Sequence, residues 1–518
     1  MTNETMPNGP FMDAAVTPTR AGRREWTGLA VIALPCMLYS MDLTVLNLAV
    51  PRLSADLEPS ATQLLWIVDI YGFLVAGSLI TMGTLGDRIG RRRLLLIGAA
   101  AFGVASVLAA FATSAEMLIA SRALLGVAGA TLAPSTLSLI RNMFLDPEQR
   151  TVAIGIWVTS YSVGAAIGPL LGGIMLEYFW WGSVFLLGVP VMILLLAVGP
   201  RLLPEFRDPQ AGRLDLPSAA LSLAAVLLVI YALKRVAEDG PGWMPAAAIA
   251  IGLALGIQFV RRQQALADPL VDLGLFRVPA FSASLATYML ACFVAFGAYV
   301  FIAQYLQLVL GLSPLEAGLW TVPSMAAFVA GSMLVPALAR RFPPAYVIGA
   351  GLILAAAGFG VLTQIDASAG LVPVVLGSVI YSLGTCPAII LSTDLVVGSA
   401  PVERAGAASA ISETSAELGG ALGIAILGSI GAAVYRRAMA DGIPAGVPPE
   451  AADAARATLG GALAAAERLP DGLGATLLGP AREAFTDGMQ LSIAICAAVV
   501  VATALVVTAL LRRGRAAA

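Results

Sequence analysis

The sequence predicts an all-α polytopic membrane protein of 14 transmembrane helices, arranged as two six-helix bundles plus two inserted helices. Three observations predict it. The 518 residues are 59% hydrophobic and only 12% charged, against about 25% charged in a soluble globular chain. The few charges are clustered, and the stretches between them are long enough to cross about 30 Å of hydrocarbon. Landmarks in the two halves also recur at a near-constant offset.

The neutral stretches include Leu94 to Ala112, Val278 to Leu315, Ala317 to Ala339, Phe342 to Ile365, Ala367 to Thr393 and Gly488 to Leu511. In lipid every backbone polar group must be satisfied internally, so such windows are read as helices. Fourteen spans result, beginning near residues 27, 62, 93, 116, 151, 182, 215, 243, 280, 315, 344, 370, 404 and 488. The first follows a polar tail with Arg20, Arg23 and Arg24 and is too long for a secretory signal, so it is read as retained.

Orientation follows from the basic residues. Most of the 30 fall on one side of the fourteen-span map. Arg52, Lys234, Arg235 and the arginines of segment 436–487 fall on the other, and Arg122 lies within a helix. By the positive-inside rule both termini are expected to be cytoplasmic, with the chain in the cytoplasmic (inner) membrane.

The offset between the halves is near 254 residues. Trp66 matches Trp320, Pro147 and Arg150 match Pro401 and Arg404, and Arg88 matches Arg341 one residue short. A bare six-helix repeat needs roughly 180 to 200 residues. The surplus fits two inserted helices near 215 and 243. The expected organisation is a tail over 1–26, a first bundle over 27–203, linkers with the inserted pair over 204–279, a second bundle over 280–511 and a tail over 512–518. The second bundle includes an extracytoplasmic loop, 436–487, rich in Ala, Gly and Pro and expected to hold short amphipathic helices.

Other classes are excluded or disfavoured. The four cysteines, Cys36, Cys292, Cys386 and Cys496, fall inside predicted helices, which disfavours disulfides. With no histidine in the chain, the commonest zinc ligand and the side chain titrating nearest neutral pH are missing. Any proton handling must use carboxylates. There is no GxxxxGK[ST] segment for a nucleotide-driven pump, and the only lysine is Lys234. No enzyme, metal site or nucleic-acid partner is indicated.

Between spans two and three lies GTLGDRIGRRR, whose glycines suit a tight turn between helix ends while Asp87 can pair with arginines or cap a helix. A purely topogenic basic turn is the alternative. The ordered pattern Gly83, Gly86, Asp87, Arg88, Gly90, Arg91, Arg92 resembles the cytoplasmic loop signature of the major facilitator superfamily. In that family the loop governs helix movement during alternating access, and the resemblance implies the same here. The second-half counterpart, ALARRFPP, lacks the acid.

In SRALLGVAGATLAP, Arg122, Gly126, Ala130 and Pro134 share one helix face, and a mid-helix charge backed by small residues faces protein rather than lipid. This is similar to the superfamily's span-four arginine motif; a structural ion pair is the alternative. In span five, GAAIGPLLGG holds Gly164, Gly168, Pro169, Gly172 and Gly173, a stripe that permits close packing beside a proline expected to bend the helix. It resembles the glycine-proline motif of antiporters in the superfamily. MDLTVLNLAVP, LLWIVDIYG, LLPEFRDP (202–209) and PLVDLGLFRVPAF (269–281) resemble the fourteen-span drug:proton antiporter branch, of multidrug and quaternary-ammonium efflux type. The major facilitator fold is therefore expected over nearly the whole chain.

Asp42, Asp69, Asp394, Glu413 and Glu417 are the acids in or near spans. Each costs roughly 2.5–3.5 kcal/mol at a helix centre on insertion scales and demands a reason. Glu413 and Glu417 are one turn apart and should share a face with Ser409. At the repeat offset their mates are Thr159 and Val163, so the charge is unsymmetric between halves. Asp42, Asp69, Arg122, Glu413 and Glu417 are the expected proton- and substrate-binding residues. For Asp42, a hydrogen bond with Asn47 or Thr44 is an equal alternative, and Asp394 is expected to be solvated near a cytoplasmic end. Tyr39, Trp66, Trp157, Tyr161, Phe296, Tyr299 and Tyr381 are candidate cavity aromatics.

The resemblance implies a proton-coupled antiporter that exports lipophilic, often cationic drugs, dyes or biocides. It needs no cofactor beyond protons as coupling ion, and is expected to act as a monomer in the lipid bilayer. A dedicated exporter of an endogenous metabolite or self-made antibiotic is the alternative, with a membrane sensor or passive channel behind it.

Overall fold

A computed structural model describes residues 20–208, 214–240, 242–266, 269–367 and 370–516; most of the N-terminal tail lies outside the described residues. Among them there is no strand.

The first half comprises α1 (Arg23–Leu57), α2 (Ala61–Ile89), α3 (Arg91–Ala110), α4 (Ala115–Gly129), α5 (Leu132–Met143), α6 (Pro147–Tyr178), α7 (Ser183–Leu186) and α8 (Gly188–Leu202). The inserted pair is α9 (Leu216–Asp239) and α10 (Trp243–Ala265). The second half holds α11 (Pro279–Gln304), α12 (Pro314–Arg341), α13 (Pro344–Leu362), α14 (Leu371–Ser399), α15 (Ala405–Asp441), the short α16 (Pro449–Ala457) and α17 (Leu459–Ala466), and α18 (Asp471–Ala516).

Loop residues set the helix starts. Ser60 and Ser313 each accept the N3 amide, of Gln63 and Glu316, whose side chains reach back to the cap amide. Asp146 accepts from the amides of Glu148 and Gln149 ahead of α6, with Pro147 at the first helical position. The fourth crossing is split into α4 and α5 at Ala130 and Thr131. The cause is Pro134, which has no N–H to offer the Ala130 carbonyl. Thr131 donates its hydroxyl to the Ala128 carbonyl there.

Thirteen stretches of the described residues are long and apolar enough to cross a membrane. The 35-residue α1, packed along α6, completes the expected fourteen. All starts but the last fall within a few residues of those read from hydropathy. The exception is α18, which begins at Asp471 rather than near 488. Segment 436–487 is accordingly mostly helical: α15 runs on to Asp441, and α16 and α17 fill the connection. Ala452, Ala455, Leu459, Ala462 and Ala465 are buried there, and the Tyr435 hydroxyl donates to the Ala455 carbonyl at 2.7 Å.

The duplication is visible in the packing. α1 packs on α6 in the first half, and α11 on α15 in the second. Between the halves the same exchange occurs twice, α2 against α15 and α12 against α6. Trp66 and Trp320, matched at the repeat offset, are 41% and 42% exposed. The inserted helices pack on each other, and α9 touches both α2 and α15, so it borders both halves. All four cysteines are free and buried.

Candidate functional site

At the end of the molecule carrying the basic loop, the halves are locked together. Gly90 turns the chain between α2 and α3 at φ 110°, where a Cβ would be strained and would also meet the Glu205 carboxylate at 2.6 Å. Glu205 instead accepts from the amides of Arg92 and Arg93, each at 3.1 Å, capping α3. Arg92 donates to the carbonyls of Pro200 and Leu203. Arg88 lies in the last turn of α2, and Gly86 approaches Leu94 across the turn.

Asp87 reaches across to the other half. It accepts from Arg91 at 2.7 Å and from the amides of Gly406 and Ala407 at 2.9 Å each, at the start of α15. A carboxylate is favoured there because the first amides of a helix have no partner within it and carry partial positive charge. Arg91, 1% exposed, also donates to the carbonyls of Val402 and Glu403. The α2 backbone comes so close that a Cβ at Gly83 would lie 2.4 Å from the Gly406 carbonyl oxygen.

A reciprocal contact uses Asp394, and it corrects the expectation that this acid is solvated. Asp394 is 8% exposed and accepts from Arg150 at 2.5 Å and from the Thr151 hydroxyl at 2.8 Å, at the start of α6. Arg340 in ALARRFPP pairs with Glu148 at 3.1 Å. The acid missing from the second-half loop is thus replaced by one on α14.

The span-five stripe lies where the sequence places it. A Cβ at Gly164 would stand 2.1 Å from the Met37 carbonyl oxygen, so α6 meets the α1 backbone there. Gly168 is buried, Gly172 faces Val45, and Gly173 has open space beside it. The backbone remains helical through Pro169, whose side chain lies outside the described residues. Sequence reading missed the counterpart in α15: a Cβ at Gly419 or Gly423 would fall 2.3 or 2.1 Å from the carbonyl oxygens of Met289 or Phe293.

Further into the membrane the acids split into two kinds. Asp42 accepts from Arg122 at 2.7 Å; Arg122 also donates to the carbonyls of Ile67 and Val68 and lies over the Tyr71 ring, 4.9 Å from its centroid. Asp42 is therefore committed to an ion pair; the side chains of Thr44 and Asn47 lie outside the described residues. Asp69 pairs with Lys234 of α9, a partner that the sequence map had at the membrane boundary.

Glu413 and Glu417 have only neutral hydrogen-bond donors among the described residues. The Tyr39 hydroxyl donates to Glu417 at 3.0 Å, bridging the halves, and the Tyr288 hydroxyl lies 3.4 Å from Glu413. Ser409, expected beside them, is buried and donates to the Ala405 carbonyl. Thr159, the first-half mate of Glu413, hydrogen-bonds Ser332 across the halves at 2.7 Å.

An aromatic file runs past these acids. Trp157 meets Tyr161 edge-on with centroids 4.9 Å apart, Tyr161 meets Tyr39 at 5.6 Å, and Tyr39 meets Tyr71 at 6.0 Å. Trp66 stands edge-on to Phe73 at 6.3 Å. Of the remaining expected cavity aromatics, Phe296 lies against Gly420 of α15, one turn beyond Glu417. Tyr381 stacks on Phe359 at 5.0 Å, drawn into the second-half core because both faces are packed. Phe296 and Tyr299 are about half exposed on α11.

Comparison with known proteins agrees with this architecture. Residues 32–424 match the family model described as Major Facilitator Superfamily. The chain is 45% identical to "Multidrug efflux pump LfrA" of Mycolicibacterium smegmatis, over 97% of this chain and 99% of that one. It is 36% identical to "Methyl viologen resistance protein SmvA" of Salmonella typhimurium, over 89% and 93%. It is 31% identical to the "Tetracenomycin C resistance and export protein" of Streptomyces glaucescens, over 95% and 93%. Among solved structures, a bacterial homolog of the human lysosomal transporter Spinster, inward-facing and unoccupied, shares the fold at TM-score 0.58 and 18% identity, covering 95% of this chain and 99% of that one. Two six-helix halves with exchanged contacts, an acid-bearing loop between α2 and α3, and a family match spanning most of the length lead to one conclusion: this multi-pass membrane protein belongs to the Major Facilitator Superfamily.

Proposed function

We propose that the protein is a proton-coupled antiporter that exports lipophilic, often cationic compounds by alternating access, acting as a monomer in the cytoplasmic membrane with both termini inside. The observation that carries this reading is the pair Glu413 and Glu417, one turn apart between the halves and met by tyrosine hydroxyls rather than by a cation. Burial favours the protonated acid and a bound cation favours the carboxylate. Cargo and protons therefore compete for the same groups. Aromatic faces at Tyr39, Tyr161 and Trp157 suit an organic cation. The relatives named for multidrug efflux and methyl viologen resistance support the cargo class.

A second reading, export of one self-made antibiotic, is favoured by the tetracenomycin relative. The two differ in breadth of cargo and share the coupling chemistry.

The test is proton release from purified protein on adding ethidium or methyl viologen, with gradient-driven movement of both in proteoliposomes. Release of protons by both cations, and transport that stops when the gradient is collapsed, is the expected result. Transport indifferent to the gradient would overturn the coupling. Movement of a single antibiotic and neither cation would select the second reading.

A further inference from the structure

The inserted helix α9 brings the chain's only lysine to one of its intramembrane acids. Lys234 pairs with Asp69 of α2, and its ammonium sits 4.7 Å from the centroid of the Phe73 ring. Phe73 is 7% exposed and is held by Ile230, Val226, Leu227 and Tyr231 of the same inserted helix. A carboxylate beside an aromatic face is the chemistry that recognises an organic cation. Here a side chain of the protein occupies it.

Two features distinguish this pair from the neighbouring Asp42–Arg122 pair. Arg122 is 1% exposed and is fixed by Asp42 and by two backbone carbonyls. The Lys234 side chain is 39% exposed and that of Asp69 20%, so the pair is open to a ligand. Among the described residues Lys234 has one carboxylate and one ring face as anchors. Its ammonium is a compact charge on a flexible stem, able to leave without dismantling a fork of hydrogen bonds.

We propose that Lys234 is a tethered cation that occupies Asp69 and the Phe73 ring in the empty transporter and is displaced by the ammonium or pyridinium group of a cationic cargo. This rests on the cation-exporting function proposed above and assigns the inserted helices a part in selecting cargo. An internal competitor lowers apparent affinity in proportion to its occupancy. If Lys234 holds Asp69 nine-tenths of the time, a cation that must displace it binds about tenfold more weakly than to the bare site. A neutral compound that makes no claim on Asp69 is unaffected.

The test uses the full chain in proteoliposomes with an imposed proton gradient, reading KM and kcat for ethidium and methyl viologen, together with binding of the neutral dye Nile red. Lys234→Met should lower KM for both cations by about tenfold and leave Nile red binding unchanged. Lys234→Arg, which keeps the charge but can hold Asp69 with a fork of hydrogen bonds, should give a KM at or above the wild-type value. In an Asp69→Asn background, Lys234→Met should have no effect on KM. If Lys234→Met does not reach the membrane, Lys234→Gln carries the same comparison. An unchanged or raised KM for the cations in Lys234→Met, or an equal shift for Nile red, overturns the proposal while wild-type transport still upholds the function. Wild-type protein that moves neither cation refutes the function, and this inference with it.

Discussion

The acids at the basic-loop end are buried and those in the middle of the membrane are partly buried, and they are satisfied in different ways. Asp87 and Asp394 each have an arginine plus donors at the first turn of a helix of the opposite half. Glu413 and Glu417 each have one tyrosine hydroxyl. A carboxylate with a full set of charged and backbone donors is fixed in place and serves as a fastener. One met by a single neutral hydroxyl keeps unfilled acceptor capacity, which is what the proposed exchange of protons and cations needs. The difference separates architecture from chemistry among residues of the same type.

The largest effect should come from the middle. Glu413→Gln or Glu417→Gln should cut proton-driven efflux of methyl viologen on the order of a hundredfold, with the protein still folded and in the membrane. Full efflux in both variants would erase the distinction. At the loop end, Asp87→Asn leaves Arg91 buried without its anion, a loss of about 3–5 kcal/mol for a broken buried pair. The closed end should lose population, read as faster labelling of a cysteine introduced at Ser412, which is buried in α15. Unchanged labelling would mean that Asp87 does not hold the end shut.

Packing comes next. Gly164→Ala places a Cβ 2.1 Å from the Met37 carbonyl oxygen, and overpacking of that kind costs about 1–3 kcal/mol. Gly173→Ala, with nothing within 4 Å, should stay within about 0.5 kcal/mol of wild type. Thermal unfolding of the two variants checks the contrast.

The smallest effect belongs to Asp215, at the start of α9 and outside the membrane-spanning segments. Hydrogen bonds from the Arg262 guanidinium, then from Ser218, pull its carboxyl from 3.8 down to about 2. A folded-state value below the unfolded one contributes stability that is complete above about 4 and lost as pH falls toward 2. Thermal stability of wild type should drop over that window, and Asp215→Asn should remove that part of the slope. An identical slope in both would show that the pair contributes nothing measurable.

Much of the fold was legible because hydropathy and capping are local. The charges flanking neutral stretches place helix starts directly, and the structure shows Ser60 and Ser313 capping two of them. The start of α18 was not, because the polar residues of segment 471–487 hide a helix that continues beyond the apolar window. For the site, the sequence marks which acids are costly but not what answers them. Arg122 lies 80 positions from Asp42, and Lys234 lies 165 from Asp69. Asp394 looked solvated because its partner, Arg150, comes from the other half. A repeat offset aligns equivalent residues and is silent about contacts between unlike positions. The exchange of α2 and α12 between halves creates contacts of that sort.

The two fasteners are crossed. Asp87 of the first half grips the second half's α15, and Asp394 of the second half grips the first half's α6. Neither half can swing away at that end while either grip remains, so releasing one gains no freedom until the other also goes. Such an arrangement behaves as an interlock with a threshold, favouring fully shut or fully parted and leaving half-open forms sparsely populated. For the antiporter proposed above, which would trade ions against cargo, the penalty on half-open forms is protection against leak.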